Sequence, residues 1–219
     1  IFLSAIGVTF SDVFYPFFHT VGITGVAGYI GATGLAIELT FLLLTYPEWY
    51  VIDIAGVLLA AGVAAIFGIS FGLIPALLLL SGLAIYDAWA VYHTGHMIDL
   101  ADSVMNLKLP ILLVIPKSRG YSFLDQRSLV EQIEKGEKRG ALFMGLGDLV
   151  IPGALVVSSK VALGWTVGIF SMVGSLIGFG ILMTYVLSGR PQAGLPLLNG
   201  GAILGYLIGA YFIVGDLGL

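Results

Sequence analysis

The chain has 219 residues, of which 58% are hydrophobic and 10% charged, and its formal net charge is −4. Soluble domains carry about 25% charged residues, so this composition excludes an ordinary soluble domain and indicates a polytopic helical membrane protein. The sequence contains no cysteine, which excludes disulfides and thiol nucleophiles, and no basic patch suits a nucleic-acid partner.

Apolar stretches long enough, or nearly long enough, to cross a bilayer follow one another along the chain. They cover roughly 1–18, 21–46, 49–70, 72–93, 141–158, 163–187 and 195–214. We therefore expect an all-α membrane bundle with N-terminal helices over 1–70, one helix over 71–93, a loop over 94–140 and C-terminal helices over 141–219.

The loop over 94–140 has a different composition from the rest of the chain, because it holds seven of the nine Lys and Arg residues. Basic residues collect on the cytoplasmic side of membranes, so we predict that this loop is cytoplasmic. The apolar stripe over 97–107 predicts an amphipathic helix at the membrane interface. Residues 111–115, which read ILLVI between two prolines, have the character of a short strand.

Two aspartates stand out among the acids of the apolar segments. Asp87 lies about seven residues before the loop and Asp148 eight residues after Gly140, which puts both roughly 10–12 Å below the cytoplasmic surface if both segments are helical. Each buried acid costs about 2.5–3.5 kcal/mol, so two at one depth indicate a shared site. Neighbouring carboxyls share one proton, and such a pair suits general acid–base hydrolysis of a peptide bond. Glu38 and Asp53 are expected to be paired, structural or lining a cavity.

Other interpretations of these residues remain open at this stage. The aspartate pair could relay protons in a transporter or channel, or could hydrogen-bond two helices in a non-catalytic scaffold. His93 and His96 with Asp99 and Asp102 have metal-like spacing, but a solvated helix start is the favoured interpretation. Ser70 lacks a histidine at similar depth. We expect neither a metal nor another cofactor.

Three motifs together resemble the presenilin-type GxGD intramembrane aspartyl proteases, specifically an archaeal presenilin homologue. They are Tyr86-Asp87, the GLGD run over 145–148 and Leu195-Pro196 in QAGLP, with a long loop between the first two. Ala193-Gly194 stands where the family has Pro-Ala. The resemblance implies a bundle of about seven to nine spans. Signal-peptide peptidases share the motifs in the opposite orientation, and the basic loop favours the presenilin branch.

The resemblance also implies roles for individual residues. Asp87 and Asp148 would be catalytic, and the motif and packing positions around them would be Tyr86, Gly145, Gly147, Leu195 and Pro196. The substrate would be a membrane helix of another protein that unwinds and pairs as a strand with 111–115 or 140–143. The tentative substrate-binding residues are Leu112, Leu113, Val114, Ala141 and Leu142. We expect a multi-pass protein of the cell membrane in a prokaryote, without partner subunits or nucleic acid, and leave homo-oligomers open.

Overall fold

The computed structural model describes residues 2–93, 112–116, 141–187, 193–215 and 217–218. Within these ranges the chain forms helices and one two-stranded hairpin, which confirms the predicted all-α class. The elements in chain order are α1 (Phe2–Thr20), α2 (Gly25–Thr45), α3 (Trp49–Phe71), α4 (Leu73–His93), β1 (Leu112–Pro116), β2 (Ala141–Gly145), α5 (Gly147–Leu163), α6 (Trp165–Leu187) and α7 (Leu195–Gly209). A π-helical turn, Ala210–Val214, extends α7. The amphipathic helix predicted at 97–107 lies outside the described residues.

Five helices of the described part are long and apolar enough to cross a membrane, judged by length and composition: α2, α3, α4, α6, and α7 with its π turn. The other two are α1 and α5. The α1 segment carries Asp12, and α5 has only 17 residues, with Asp148 near its start and Lys160 in its last turn.

The segment over 141–158 differs from its predicted helical structure. Its first five residues form β2, which pairs antiparallel with β1 from Leu112 opposite Gly145 to Pro116 opposite Ala141. The helix α5 begins only at Gly147. Cross-strand bonds satisfy the backbone here, and the glycines at 145 and 147 weaken a helix at this point.

The described residues divide into two compact units, of which the first lies within 1–62 and 98–146. It contains α1, α2, the start of α3 and the hairpin. Its buried core is formed by Phe10, Ala36, Leu43, Val51, Ile52, Ala55, Val114 and Ala141. Side chains of both strands are therefore part of the same core as the first turns of α3.

The second unit lies within 63–97 and 147–219 and contains the end of α3 and the helices α4 to α7. Its buried core is formed by Leu73, Ala76, Leu80, Leu155, Val167, Ala202, Tyr206 and Ala210. The helices α6 and α7 approach each other at glycines. A Cβ at Gly174 would overlap the Gly201 carbonyl, and one at Gly205 would overlap the Phe170 carbonyl. Such backbone contact is typical of small-residue packing between membrane helices.

Candidate active site

Asp87 contacts the start of α7 from its place on α4. Its Oδ2 accepts a hydrogen bond from the backbone N–H of Leu195 at 3.0 Å. Leu195 is the first residue of α7, and its N-cap residue, Gly194, provides no side-chain cap. Asp87 therefore caps α7 from another helix, and the partial positive charge of that helix end favours a carboxylate there.

Asp148, the second residue of α5, reaches the same helix end. A Cβ built on Gly194 would lie 3.5 Å from Asp148 Oδ2 and 3.9 Å from its Cγ. The carboxyls of Asp87 and Asp148 also interact electrostatically. The structure thus brings the two predicted aspartates together at consecutive residues, Gly194 and Leu195.

The predicted equal helical depth of Asp87 and Asp148 is wrong. Asp87 lies six residues before α4 ends at His93, whereas Asp148 lies in the first turn of α5, because 141–145 is a strand. The carboxyls meet because both approach the N-terminus of α7. That helix end is the third component of the site.

Asn199 provides a second connection between α4 and α7 that the sequence analysis missed. Its side chain is fully buried, and its Nδ2 donates to the Leu80 carbonyl at 3.0 Å. It lies one helical turn after Leu195, on α7, whose first N–H donates to Asp87. The signal available in the sequence was an amide side chain inside an apolar helix, one turn from a motif residue.

The Ala193-Gly194 departure is compatible with this geometry. Gly194 has φ −80° and ψ −49°, which any residue can adopt. A Cβ added at Gly194 would lie 3.5 Å from both Asp148 Oδ2 and Leu182 Cδ2, which is an ordinary van der Waals distance. Alanine, the family's residue, therefore fits at 194. Leu195 and Pro196 form the first turn of α7, where proline needs no donor.

The remaining motif residues have distinct environments. Tyr86 is 63% exposed and its ring lies 6.4 Å from that of Trp89. Gly145 ends β2 and Gly147 begins α5, and a Cβ at Gly147 would meet open space. Of the metal-like cluster only His93 is described, and it stacks on Trp89, whereas His96, Asp99 and Asp102 lie outside the described residues.

The tentative substrate-binding residues all lie in the hairpin. Leu112, Leu113 and Val114 belong to β1, and Ala141 and Leu142 belong to β2. The side chains of Val114 and Ala141 are buried in the core, at 1% and 0% exposure. These two residues can therefore contribute only backbone atoms to binding.

The sequence as a whole matches one family. The model of the family described as signal-peptide peptidase, presenilin aspartyl protease matches residues 1–214. The chain belongs to this family. Membership of a family of intramembrane aspartyl proteases agrees with two carboxyls at one helix end.

Two solved structures of a presenilin-family intramembrane aspartate protease are also similar to this chain. The structure in space group C222 is 42% identical and has a TM-score of 0.65, and the match covers 95% of this chain and 73% of that one. The structure in space group P2 is 41% identical and has a TM-score of 0.68, with 96% and 71% covered. A search of curated proteins finds no match.

These comparisons establish the class of protein. The chain is a multi-pass membrane protein with a presenilin-like fold and is an intramembrane aspartyl protease, that is, an aspartic endopeptidase that acts on transmembrane substrates in the lipid bilayer. Nothing among them favours a transporter or channel. The family and fold resemblance deduced from Tyr86-Asp87, GLGD and Leu195-Pro196 is confirmed.

Proposed function

We propose that Asp87 and Asp148 are the catalytic pair of this protease. The observation that supports the proposal is their convergence on Gly194 and Leu195 at the start of α7. Two carboxyls this close in a site of low polarity hold one proton between them. The pair can therefore supply a base and an acid at once, without a metal or another cofactor.

The reaction follows from these two protonation states. The ionised carboxylate takes a proton from a water molecule, which attacks the peptide carbonyl, while the protonated carboxyl polarises that carbonyl and later protonates the leaving amine. The Leu195 N–H and the end of α7 stabilise negative charge on Asp87, so we assign Asp87 as the base. No covalent intermediate forms.

The substrate has to unwind before it is cleaved, because a helical peptide bond is shielded by its own turn. Unwound backbone in a membrane needs new hydrogen-bond partners, and addition to a strand edge supplies them. The β1–β2 hairpin supports this role, since β2 leads through Leu146 into α5 and Asp148 follows Gly145 by only three residues. We propose that the substrate adds to the outer edge of β2.

The hairpin register indicates which backbone groups form that edge. The Val114 N–H donates to Asp53 Oδ1, so it points away from β2, and the Val114–Phe143 pair has no ladder bonds. Leu113–Met144 is then a hydrogen-bonded pair. The backbone of Phe143 faces outward from β2, whereas that of Leu113, first considered for substrate pairing, faces β2.

A proline scan of β2 tests the proposal. Phe143→Pro removes an outward N–H, spares the hairpin bonds and should reduce cleavage of a single-span substrate by at least tenfold. Phe143→Ala is the control for the lost side chain and should remain active. Met144→Pro removes a hairpin bond and should reduce the stability of the protein as well. Normal cleavage by Phe143→Pro would contradict addition at this edge.

The orientation in the membrane is a further part of the proposal. Basic residues in 94–140 support a cytoplasmic loop, in the cell membrane of a prokaryote. The chain lacks cysteine, so Ser118→Cys gives a single label site in this loop. An impermeant maleimide should label it in inverted vesicles and not in intact cells, and the reverse result would contradict the orientation. We propose that the chain acts without partner subunits or nucleic acid, and a homo-oligomer is compatible with this mechanism.

The catalytic pair is tested with purified protein and a single-span membrane substrate. Asp87→Ala and Asp148→Ala should both abolish cleavage while the proteins remain folded in detergent. Proton flux in liposomes distinguishes the transporter alternative. Absence of cleavage by the unmodified protein, together with proton-dependent flux, would refute the proposed role of the pair.

A further inference from the structure

Asp53 is a membrane-helix acid that the catalytic proposal does not use. It is the fifth residue of α3, is partly buried, and its Oδ1 accepts the Val114 N–H at 2.7 Å. A carboxylate in a spanning helix is costly, and a hydrogen bond from a backbone amide offsets part of that cost. Asp53 therefore connects a spanning helix to the backbone of β1.

This bond occupies the outer edge of β1. Val114 and Pro116 face the same way, since alternate residues of a strand share a direction. The Val114 N–H is taken by Asp53, and Pro116 has no N–H to offer. A third strand would find no available donor on β1 over 114–116. The pairing register directs the backbone N–H of Phe143 to the outer edge of β2.

A second contact joins α3 to the hairpin, at Leu146, where β2 ends. Gly56 lies three residues after Asp53, on the same face of α3. A Cβ on Gly56 would lie 3.2 Å from Leu146 Cδ2, and Leu146 is 8% exposed. Leu146 is the residue between β2 and α5, inside the GLGD motif. The α3 helix thus contacts the hairpin at β1 and at the exit of β2.

We infer that Asp53 is a positioning residue that closes the edge of β1 and fixes the hairpin, so that the substrate adds to β2 in one register. This inference rests on the proposed addition at β2. Removal of the carboxylate frees the Val114 amide and releases β1 from α3. The hairpin then offers two edges, and the scissile bond of the substrate is no longer set at one position.

The experiment compares Asp53→Leu with Asp53→Asn. Asparagine keeps an acceptor oxygen for the Val114 N–H, whereas leucine is of similar size and has none. Asp53→Leu should raise KM about tenfold, because the hairpin loses a hydrogen bond that fixes it on α3, and should yield products cut at more than one bond by mass spectrometry. Asp53→Asn should stay within about twofold of the unmodified protein and give its product.

Folding is monitored by binding of a small hydroxyl-bearing transition-state analogue, which needs the two catalytic carboxyls and not the hairpin. Both variants should bind it as the unmodified protein does. Val114→Pro, which removes the donor instead of the acceptor, also releases β1 from α3 and should raise KM as Asp53→Leu does, but it should keep a single product because proline leaves the edge of β1 without a donor. The double variant should be no worse than either single variant, because the two changes remove one bond.

The inference is overturned if Asp53→Leu has an unchanged KM and a single product, if Asp53→Asn is as impaired as Asp53→Leu, or if the double variant shows additive losses. It is also overturned if Asp53→Leu fails to bind the analogue and Val114→Pro has an unchanged KM. Failure of the β2-edge proposal appears separately, as normal cleavage by Phe143→Pro.

Discussion

The close approach of α6 and α7 predicts different stabilities for alanine variants of two neighbouring glycines, Gly200 and Gly201. A Cβ on Gly201 would overlap the Gly174 carbonyl oxygen and lie 3.0 Å from its carbon and 3.4 Å from Gly178 Cα. A Cβ on Gly200 would meet nothing within 4 Å. Both residues are inside α7, so alanine adds about 1 kcal/mol of helix propensity at either position. Overpacking costs about 1–3 kcal/mol, and only Gly201→Ala incurs it.

Gly201→Ala should therefore be less stable than Gly200→Ala by about 1–3 kcal/mol. Both variants gain the same helix propensity, so only the overpacking in Gly201→Ala separates them. Thermal unfolding in detergent measures this difference as a melting temperature several degrees lower. Cleavage should fall in Gly201→Ala, since displacement of α7 moves the Leu195 N–H away from Asp87 Oδ2. Equal melting temperatures for the two variants would refute the close approach of α6 and α7.

Two further predictions concern α7 and the C-terminal segment. Gly194→Ala should keep full cleavage and gain about 0.4–1 kcal/mol of stability, because the backbone at 194 suits alanine and the added Cβ makes ordinary contacts. Gly194→Leu should block the site. A large loss of substrate cleavage in Gly194→Ala would show that the Asp87 and Asp148 carboxyls are arranged differently. Tyr206→Phe removes the hydroxyl that donates to the Leu217 carbonyl and should cost about 0.5–1.5 kcal/mol in thermal unfolding without a change in cleavage. An unchanged melting temperature would contradict that bond.

The sequence was sufficient to predict the membrane bundle and the family. Long apolar segments leave few structures other than helices, and Tyr86-Asp87 with GLGD limits the chemistry to two carboxyls on neighbouring segments. The pairing of Asp87 with Asp148 stays a prediction about function, but the structure brings the two carboxyls to one helix end.

The strand β2 and the hydrogen-bond partners of Asp53 and Asn199 were not predicted, because they depend on contacts between residues that are distant in sequence. Periodicity alone does not separate a short apolar strand from the start of a helix, so β2 was assigned to the helix that follows it. The partner of Asp53 is 61 residues away, and the partner of Asn199 is 119 residues away. Hydrogen bonds of this kind are set by tertiary packing and have no local pattern in the sequence.

The central claim is that two of the acids in the apolar segments, Asp87 and Asp148, perform the chemistry. Its most direct test is the cleavage rate of a single-span membrane substrate by Asp87→Asn, Asp148→Asn and the control Asp12→Asn, each purified and matched for thermal stability. Asparagine preserves the size of each side chain and removes its acid–base function. Cleavage should be lost in the first two variants and retained in the control, and substantial cleavage by either Asp87→Asn or Asp148→Asn would contradict the account.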